Sequence, residues 1–263
     1  MIRFSKWEGT GNDFIVVDDR DGNFPATDEA LVRRLCDRHF GSDGLILLQR
    51  SKEADYHMEF FNPDGSRSFC GNGSRCAFAF WSTITGSATA ATFTAIDGMH
   101  TAEWRGQEVA ISLGYVPYVS NGPEEPHVDF IHTGSPHELL WVDDPQRIDV
   151  KKEGAARRYA PLRGLDGVNV NFVRWNGEQV EMRTYERGVE DETLSCGTGV
   201  VAAAISAMHR YHMDAPVQVV TRGGTLRVEA ELVDREGYGN IRLIGPVRRV
   251  FDGSWDPSSQ AAG

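Results

Sequence analysis

The sequence predicts an α/β (α+β) chain built from two similar domains, and three observations support this prediction. Both halves contain the same order of elements: two apolar strands, a polar turn, a Cys-Gly-x-Gly phrase, a helix and a hairpin. The hairpin residue Gly98 follows Cys70 by 28 residues, and Gly224 follows Cys196 by the same 28. A stretch rich in Gly, Pro, Asn and Glu, residues 114–126, separates the two halves.

We therefore expect one domain over residues 1–115 and a second domain over residues 116–248. The C-terminal tail, about 249–263, is expected to return to the first domain, with residues 253–263 only loosely held. Two similar domains with a cleft between them would bring the two cysteine turns face to face.

Each element of the first half has a local signal. Residues 14–17 form a β-branched and aromatic run after a glycine turn, and Thr27 is the predicted N-cap of a helix that stops at Gly41. The remaining predicted elements are two apolar strands, a turn and a hairpin, at residues 45–48, 57–61, 62–66 and 92–104. The first cysteine phrase thus lies between a polar turn and a helix.

The second half shows corresponding signals. Residues 168–175 and 180–185 are predicted strands, and residues 217–228 are a predicted hairpin that follows Pro216. Apolar residues at helical spacing predict a helix in which one face carries Val200, Val201, Ala204, Ile205 and Met208. The second cysteine phrase directly precedes this helix.

Composition excludes several classes of protein. Among 263 residues, 40% are hydrophobic, which is enough for packed cores, and the net charge of −11 argues against nucleic acid or an anionic membrane as partner. No apolar run approaches the roughly 18 residues that span a bilayer, and the first eight residues lack a signal-peptide core. Four unevenly spaced cysteines are no disulfide framework, so we expect a cytoplasmic protein with reduced thiols.

Two of the cysteines are candidates for chemistry. Cys70 and Cys196 are each followed by glycines and a helix, and a helix N-terminus favours a thiolate and attracts anions. Cys36 and Cys76 lie among apolar residues and are expected to be buried core residues. The chain therefore has two candidate reactive thiols.

A pair of thiols admits several roles. A redox pair usually has a Cys-x-x-Cys spacing, a metal site needs further ligands, and a hydrolase needs one nucleophile with a histidine. His209 and His212 lack a third ligand nearby, and the glycine turns lack the lysine of a phosphate loop. Two acid–base groups on opposite faces of a carbon suit the inversion of a stereocentre. Helix starts could bind the carboxylate beside that carbon.

Five phrases carry a resemblance to a known family. Taken in order, they begin at Gly9 (Gly-Thr-Gly-Asn-Asp-Phe), Phe61 (Phe-Asn-Pro-Asp-Gly-Ser), Cys70 (Cys-Gly-Asn-Gly-Ser-Arg-Cys), Tyr185 (Tyr-Glu-Arg-Gly) and Cys196 (Cys-Gly-Thr-Gly). Together they resemble diaminopimelate epimerases, in that family's order, and the resemblance extends to about residue 250.

The resemblance implies a fold and an activity. The fold has two pseudo-symmetric domains, each a curved, mostly antiparallel sheet around a central helix, with the active site in the interdomain cleft. The activity is the interconversion of LL- and meso-2,6-diaminopimelate on the lysine and peptidoglycan precursor pathway, without pyridoxal phosphate, other cofactor or metal. The implied partner is this small-molecule substrate, and a homodimer is expected from the family alone.

The resemblance also implies roles for individual residues. Cys70 and Cys196 match the acid–base pair of the family. The matching substrate-binding residues are Asn12, Asn62, Gly71, Asn72, Asn169, Glu186, Arg187, Gly197 and Thr198. Ser135 stands where the family often has asparagine, and both it and His137 are expected to line the substrate site. Serine keeps a donor and an acceptor but is shorter, so a water would fill the gap.

Three alternatives remain open on the sequence. A proline or hydroxyproline racemase-like enzyme shares the paired cysteines, but a monocarboxylate substrate has little use for Glu186 and Arg187. An isomerase of the phenazine-pathway type has the fold without the cysteine pair. A thiol-based redox sensor or amino-acid-binding protein would bind or oxidise without exchanging a proton.

Overall fold

The computed structural model describes residues 1–37, 41–117, 120–122, 125–160, 167–234 and 237–257. The chain divides into two compact units. The first unit comprises Met1–Ile111 together with the chain from Pro246 onwards, and the second unit comprises Ser112–Gly245. No helix in the described ranges is long and apolar enough to cross a membrane.

Strands predominate in both units. The elements up to residue 112 are β1 (Ile2–Gly9), β2 (Asn12–Asp18), α1 (Glu29–Leu35), β3 (Gly44–Gln49), β4 (Tyr56–Phe61), α2 (Gly71–Ile84), β5 (Ala90–Ala95), β6 (Gly98–Arg105) and β7 (Glu108–Ser112). Those that follow are β8 (Val116–Pro117), β9 (Ser120–Gly122), β10 (Glu125–His132), β11 (Pro136–Trp141), a 3-10 turn (Pro145–Arg147), α3 (Val150–Arg158), β12 (Asn169–Trp175), β13 (Val180–Glu186), β14 (Asp191–Thr193), α4 (Gly197–Tyr211), β15 (Val217–Thr221), β16 (Gly224–Asp234), β17 (Gly237–Pro246) and β18 (Arg248–Trp255).

The first unit is a mostly antiparallel sheet in the order β18, β1, β2, β3, β4, β5, β6 and β7. Only the pairs β2–β3 and β4–β5 are parallel. A parallel pair needs a crossover connection, and helices α1 and α2 provide the two crossovers. Helix α2 packs against β1, β2, β3, β4 and β6, so it is the central helix of this unit.

The second unit repeats this topology. Strands β10, β11, β12, β13, β15, β16 and β17 follow one another in the sheet, and the parallel pairs are β11–β12 and β13–β15. Their crossovers contain α3 and α4, and α4 packs against β10–β13, β15 and β16. The predicted duplication and the mixed fold with a central helix in each half are therefore confirmed.

Helix α4 is buried more completely than the sequence pattern alone indicates. The five apolar residues predicted to share one face of α4 are all buried, and the burial extends to every side of the helix over Gly199–Met208. Small side chains make this arrangement feasible, since Ala202, Ala203 and Ala204 allow close approach of the surrounding strands. A helix buried all round is apolar all round and has no amphipathic period.

Three details of the first unit differ from expectation. Helix α1 is capped by Asp28, not Thr27, because the Asp28 carboxylate accepts the Leu31 N–H at 3.0 Å. The helix ends at Leu35, well before Gly41. Strand β1 was not predicted at all, because its charged and polar residues hide the period-2 pattern on which strand prediction relies.

The C-terminal prediction needs a correction as well. Residues 253–255, expected to be loosely held, form the end of β18, which pairs antiparallel with β1. Gly253 lies opposite Phe4, and a Cβ at this glycine would overlap the Phe4 ring. Residues 258–263 of the predicted tail lie outside the described ranges.

Helix α3 provides a test of the packing in the second unit. A Cβ at Gly154 would overlap the Cβ and Cγ atoms of Tyr185 on β13. We expect Gly154→Ala to lower the free energy of unfolding by about 1–3 kcal/mol, the usual effect of overpacking. Gly114→Ala is the matched control, because a Cβ there meets no atom within 4 Å. Urea unfolding of both variants measures the difference, and equal midpoints would contradict the described packing.

Candidate active site

Cys70 is the N-cap of the central helix in the first unit. Its backbone is extended, with φ −130° and ψ 109°, and helix α2 begins at the next residue, Gly71. The Cys70 sulfur accepts the Gly73 N–H at 3.4 Å, and the Cys70 carbonyl accepts the N–H and O–H of Ser74, both at 2.8 Å. The thiol therefore lies at the positive end of the helix dipole.

Cys196 has the same position in the second unit. It is the N-cap of α4, with φ −115° and ψ 109°, and Gly197 begins the helix. Its side chain makes no hydrogen bond to the helix N-terminus, and its sulfur lies 3.5 Å from Thr198 Oγ1. Cys196 is 6% exposed, whereas Cys70 is partly exposed. The two predicted thiols thus have equivalent backbone positions in two copies of one fold.

Both helix starts are suited to anions. Neither α2 nor α4 has an acidic residue in its first turn. The first backbone N–H groups of a helix lack carbonyl partners within that helix, so they can donate to a carboxylate or to a thiolate. Gly71, Asn72, Gly197 and Thr198, which the resemblance implies are substrate-binding residues, lie in these first turns.

In the first unit, the structure brings two predicted asparagines together. Asn72, which is buried, donates from Nδ2 to Asn12 Oδ1 at 2.7 Å. Asn12 in turn donates to Asp43 Oδ2 at 3.3 Å, and the same carboxylate oxygen accepts the Asp13 N–H at 2.8 Å. The β1–β2 turn, which Asn12 directly follows as the first residue of β2, is therefore fixed against the first turn of α2.

A buried arginine holds the same turn. Arg75 Nη2 donates to Thr10 Oγ1 at 2.6 Å, while its Nε and Nη1 atoms are buried and make no hydrogen bond among the described residues. Burial lowers the pKa of Arg75 to about 10, so the guanidinium stays charged at neutral pH. Thr10 has a φ of +54°, in the left-handed region. A buried cation one helical turn from Cys70 adds positive potential to this helix start.

Asn62 lies in a hydrogen-bonded turn of its own. Its Nδ2 donates to Ser66 O at 3.2 Å, to Ser66 Oγ at 3.0 Å and to Ser68 Oγ at 3.1 Å. The side chain therefore stabilises the connection between β4 and the cysteine phrase. Its predicted contact with a substrate stays a prediction.

Asn169 connects three segments of the second unit. Its Oδ1 accepts the Arg187 N–H at 2.9 Å, and its Nδ2 donates to Ser135 Oγ at 3.2 Å and to Pro136 O at 3.1 Å. The start of β12 is thus tied both to the end of β13 and to the turn before β11. Four residues predicted from the sequence converge here: Ser135, His137, Asn169 and Arg187.

Glu186 and Arg187 follow one another at the end of β13. Glu186 Oε2 accepts the Thr193 O–H at 2.7 Å. The Arg187 guanidinium makes no hydrogen bond or ion pair to the described residues, although its charge acts on His137. The next turn is held by Glu190, whose pKa is lowered to about 2, first by the hydrogen bonds from Arg158. The turn is therefore held in place, and the Arg187 guanidinium beside it has no hydrogen-bond or ion-pair partner among the described residues.

His137 joins a cluster of hydroxyls beside Cys196. Its Nε2 lies 3.0 Å from Ser135 Oγ and 3.0 Å from Thr198 Oγ1, and these two oxygens lie 3.2 Å apart. Burial first, then the charges of His132 and Arg187, lowers the pKa of His137 to about 3, so the ring is neutral at pH 7. Ser135 is thus part of a polar cluster that reaches the Cys196 sulfur through Thr198.

The other two cysteines differ from this pair. All four cysteines are described and none is in a disulfide. Cys36 and Cys76 are buried, as predicted. Burial raises the pKa of Cys36 to about 12 and that of Cys76 higher still, so both remain thiols. Across the described ranges, no three His, Cys, Asp or Glu side chains form a group that could hold a metal ion.

Three residues of this arrangement were not predicted from the sequence: Thr10, Arg75 and Asn171, whose amide contacts the ring of His137. Arg75 had a usable signal, because it is the one charged residue of a helix that is otherwise apolar or small. Asn171 had another, because it lies two residues after Asn169 in an apolar strand and so faces the same side. Thr10 had no signal beyond its glycine neighbours.

The fold is shared with a class of solved structures that are similar in topology but distant in sequence. A phenazine biosynthesis protein of the PhzF family from Bacillus anthracis has a TM-score of 0.75 and 13% identity, over 97% of this chain and 99% of its own. A probable proline racemase from Agrobacterium radiobacter K84, solved with bound carbonate, has a TM-score of 0.70 and 17% identity, over 100% and 95%.

Sequence comparison identifies the family within this class. The family model described as "Diaminopimelate epimerase" matches residues 4–118 and 130–250. The diaminopimelate epimerase of Flavobacterium psychrophilum is 41% identical over 256 residues, which cover 95% of this chain and 99% of that relative. The chain belongs to the diaminopimelate epimerase family.

Proposed function

We propose that this protein interconverts LL- and meso-2,6-diaminopimelate by a two-base mechanism. The thiolate of one cysteine removes the α-proton from one face of the reacting carbon. The thiol of the other cysteine delivers a proton to the opposite face, which inverts the configuration. The negative charge that develops spreads onto the adjacent carboxylate, where the N–H groups of the helix starts stabilise it.

The observation that carries this proposal is the equivalence of the two cysteines. Each occupies the N-cap position of the central helix in one of two copies of the same topology. A redox pair or a single nucleophile has no need of two such positions, whereas inversion requires two acid–base groups. Membership of the diaminopimelate epimerase family supports the same reaction.

Arg187 favours diaminopimelate over an amino acid with a single carboxylate. The substrate carries a carboxylate and an ammonium group at each end, so its recognition needs donors and acceptors beyond the reacting centre. Arg187 offers a forked guanidinium with no partner among the described residues, and Glu186 beside it offers a carboxylate. A substrate with a single carboxylate, such as proline, leaves this second pair unused.

The proposal also covers the pathway, the cellular location, the cofactor requirement and the oligomeric state of the enzyme. The enzyme supplies meso-diaminopimelate for lysine and peptidoglycan precursor synthesis in the cytoplasm, and uses neither a cofactor nor a metal. It acts as a homodimer, in keeping with the family expectation. Sedimentation of the purified protein measures this assembly directly.

Incubation with diaminopimelate in heavy water tests the proposed function. The reduced protein is expected to introduce deuterium at the α-carbon while the ratio of LL to meso isomers moves to equilibrium. Proline and hydroxyproline, incubated in parallel, are expected to remain unlabelled. An unchanged α-hydrogen in diaminopimelate would refute the proposal, and labelled proline would instead support the racemase alternative.

A further inference from the structure

The polar cluster beside Cys196 contains a residue to which no role has been assigned. Asn171 lies on β12, is fully buried and contacts the ring of His137. Its Nδ2 lies 3.2 Å from His137 Nδ1 and 3.1 Å from the carbonyl of Glu138. Its Oδ1 accepts the O–H of Thr184 at 3.0 Å.

The carbonyl of Glu138 fixes the orientation of the Asn171 amide. A carbonyl oxygen only accepts hydrogen bonds, so the group facing it is the NH₂ of Asn171 and not the oxygen. A flipped amide would place two acceptors against each other in a buried site, which is costly. The same NH₂ group therefore faces His137 Nδ1.

This orientation determines the tautomer of His137. An amide nitrogen has no lone pair available to accept, so His137 Nδ1 is the acceptor and carries no proton. The ring is neutral, because burial first, and then the charge of Arg187, lowers its pKa. The single ring proton is consequently on Nε2, the atom that lies 3.0 Å from both hydroxyls.

The direction of the remaining hydrogen bonds follows from this proton. Because Nε2 donates, neither hydroxyl can donate to it. Ser135 accepts from Asn169 Nδ2 and turns its own hydrogen towards Thr198 Oγ1. Thr198 Oγ1 therefore accepts hydrogen bonds from His137 Nε2 and from the Ser135 hydroxyl. Its own hydrogen is then directed to the Cys196 sulfur, which lies 3.5 Å away.

We propose that Asn171 is a positioning residue that holds His137 as the Nε2–H tautomer, so that a chain of donors through Ser135 and Thr198 ends on the Cys196 sulfur. The chain moves no proton; it provides an O–H donor to sulfur, and a donor to the charged form stabilises a thiolate. This inference deepens the proposed function, on which its catalytic meaning rests. It also gives Ser135 a role in which the hydroxyl accepts and donates at once.

Apart from Asn171, the groups around His137 do not determine which ring nitrogen carries the proton. The titratable side chains acting on the ring are His132 and Arg187, and both oppose its protonation. The other side chains in contact, Ser135, Asn171 and Thr198, are neutral. Gly199 is also required, because a Cβ there would lie 2.7 Å from Asn171 Oδ1 and 3.3 Å from His137 Cε1.

Nitrogen NMR of the protein labelled with ¹⁵N-histidine tests the tautomer without substrate. The His137 resonances, assigned by their loss in His137→Gln, are expected to show an unprotonated, pyridine-type Nδ1 and a protonated, pyrrole-type Nε2. In Asn171→Asp, a carboxylate that only accepts is expected to make Nδ1 pyrrole-type. The matched control Asn176→Asp, in the β12–β13 turn, is expected to leave the His137 spectrum unchanged.

The last link of the chain is tested at the sulfur. In a Cys70→Ala background, iodoacetamide alkylation of Cys196 at neutral pH is expected to slow about tenfold in Thr198→Val, because a charge-assisted hydrogen bond to the thiolate is lost. Thr198→Ser, which keeps the hydroxyl, is expected to restore the rate.

Two results overturn the proposal: a pyrrole-type Nδ1 in the wild-type spectrum, or an undiminished alkylation rate in Thr198→Val. The wild-type spectrum decides the tautomer even if Asn171→Asp does not fold. Neither measurement uses diaminopimelate, so the proposal can fail while deuterium exchange succeeds. Equally, exchange can fail while the spectrum is as expected.

Discussion

Replacing either Cys70 or Cys196 by alanine is expected to lower the rate of epimerisation by about 10²- to 10⁴-fold, the usual contribution of a positioned acid or base. Each variant keeps one thiol, which can serve only one face of the carbon. Residual deuterium exchange is therefore expected to retain configuration. Chiral chromatography combined with mass spectrometry of the α-deuterium separates exchange from inversion.

Cys36→Ala is the matched control for these variants. Its thiol is buried, and the raised pKa of about 12 keeps it protonated. Loss of this side chain is expected to reduce stability slightly and to leave turnover unchanged. Undiminished inversion by Cys70→Ala or by Cys196→Ala would remove that thiol from the mechanism.

Arg187→Ala is expected to lower kcat/KM for diaminopimelate by roughly 10- to 100-fold, because a charge-assisted hydrogen bond contributes about 1.5–3 kcal/mol. The side chain has no partner among the described residues, so its removal leaves no buried carboxylate unpaired. Arg187→Lys is expected to recover only part of the loss, since an ammonium group cannot reproduce the guanidinium fork. Steady-state kinetics in both directions measure these effects.

Arg147→Ala is a suitable control for the loss of one positive charge. The Arg147 side chain is 86% exposed and lies 3.8 Å from Asp144, a surface pair that contributes little. Its substitution is expected to leave kcat/KM within twofold of wild type, roughly the scale of a screened surface charge. Equal losses in Arg147→Ala and Arg187→Ala would point to net charge and not to carboxylate recognition.

Short sequence phrases and residue spacings predicted the positions of the two cysteines and the duplication of the fold. The N-cap positions of Cys70 and Cys196 follow from short phrases in which a polar turn, glycines and a helix succeed one another. The duplication follows from the equal spacing between each cysteine and its hairpin glycine. Such features depend on a few adjacent residues or on chain distance, which a sequence displays directly.

The tertiary structure decided how the polar side chains meet. Strands β11 and β12 pair in parallel, with His137 opposite Asn169 and Leu139 opposite Asn171. This register brings the Asn171 amide to a ring 34 residues earlier in the chain. The burial of α4 on all sides is likewise set by the strands packed around it. The sequence by itself thus determined that the two cysteines lie at two helix starts. The register between strands distant in the chain decided which side chains contact the cysteine turns, because strand pairing depends on the whole sheet.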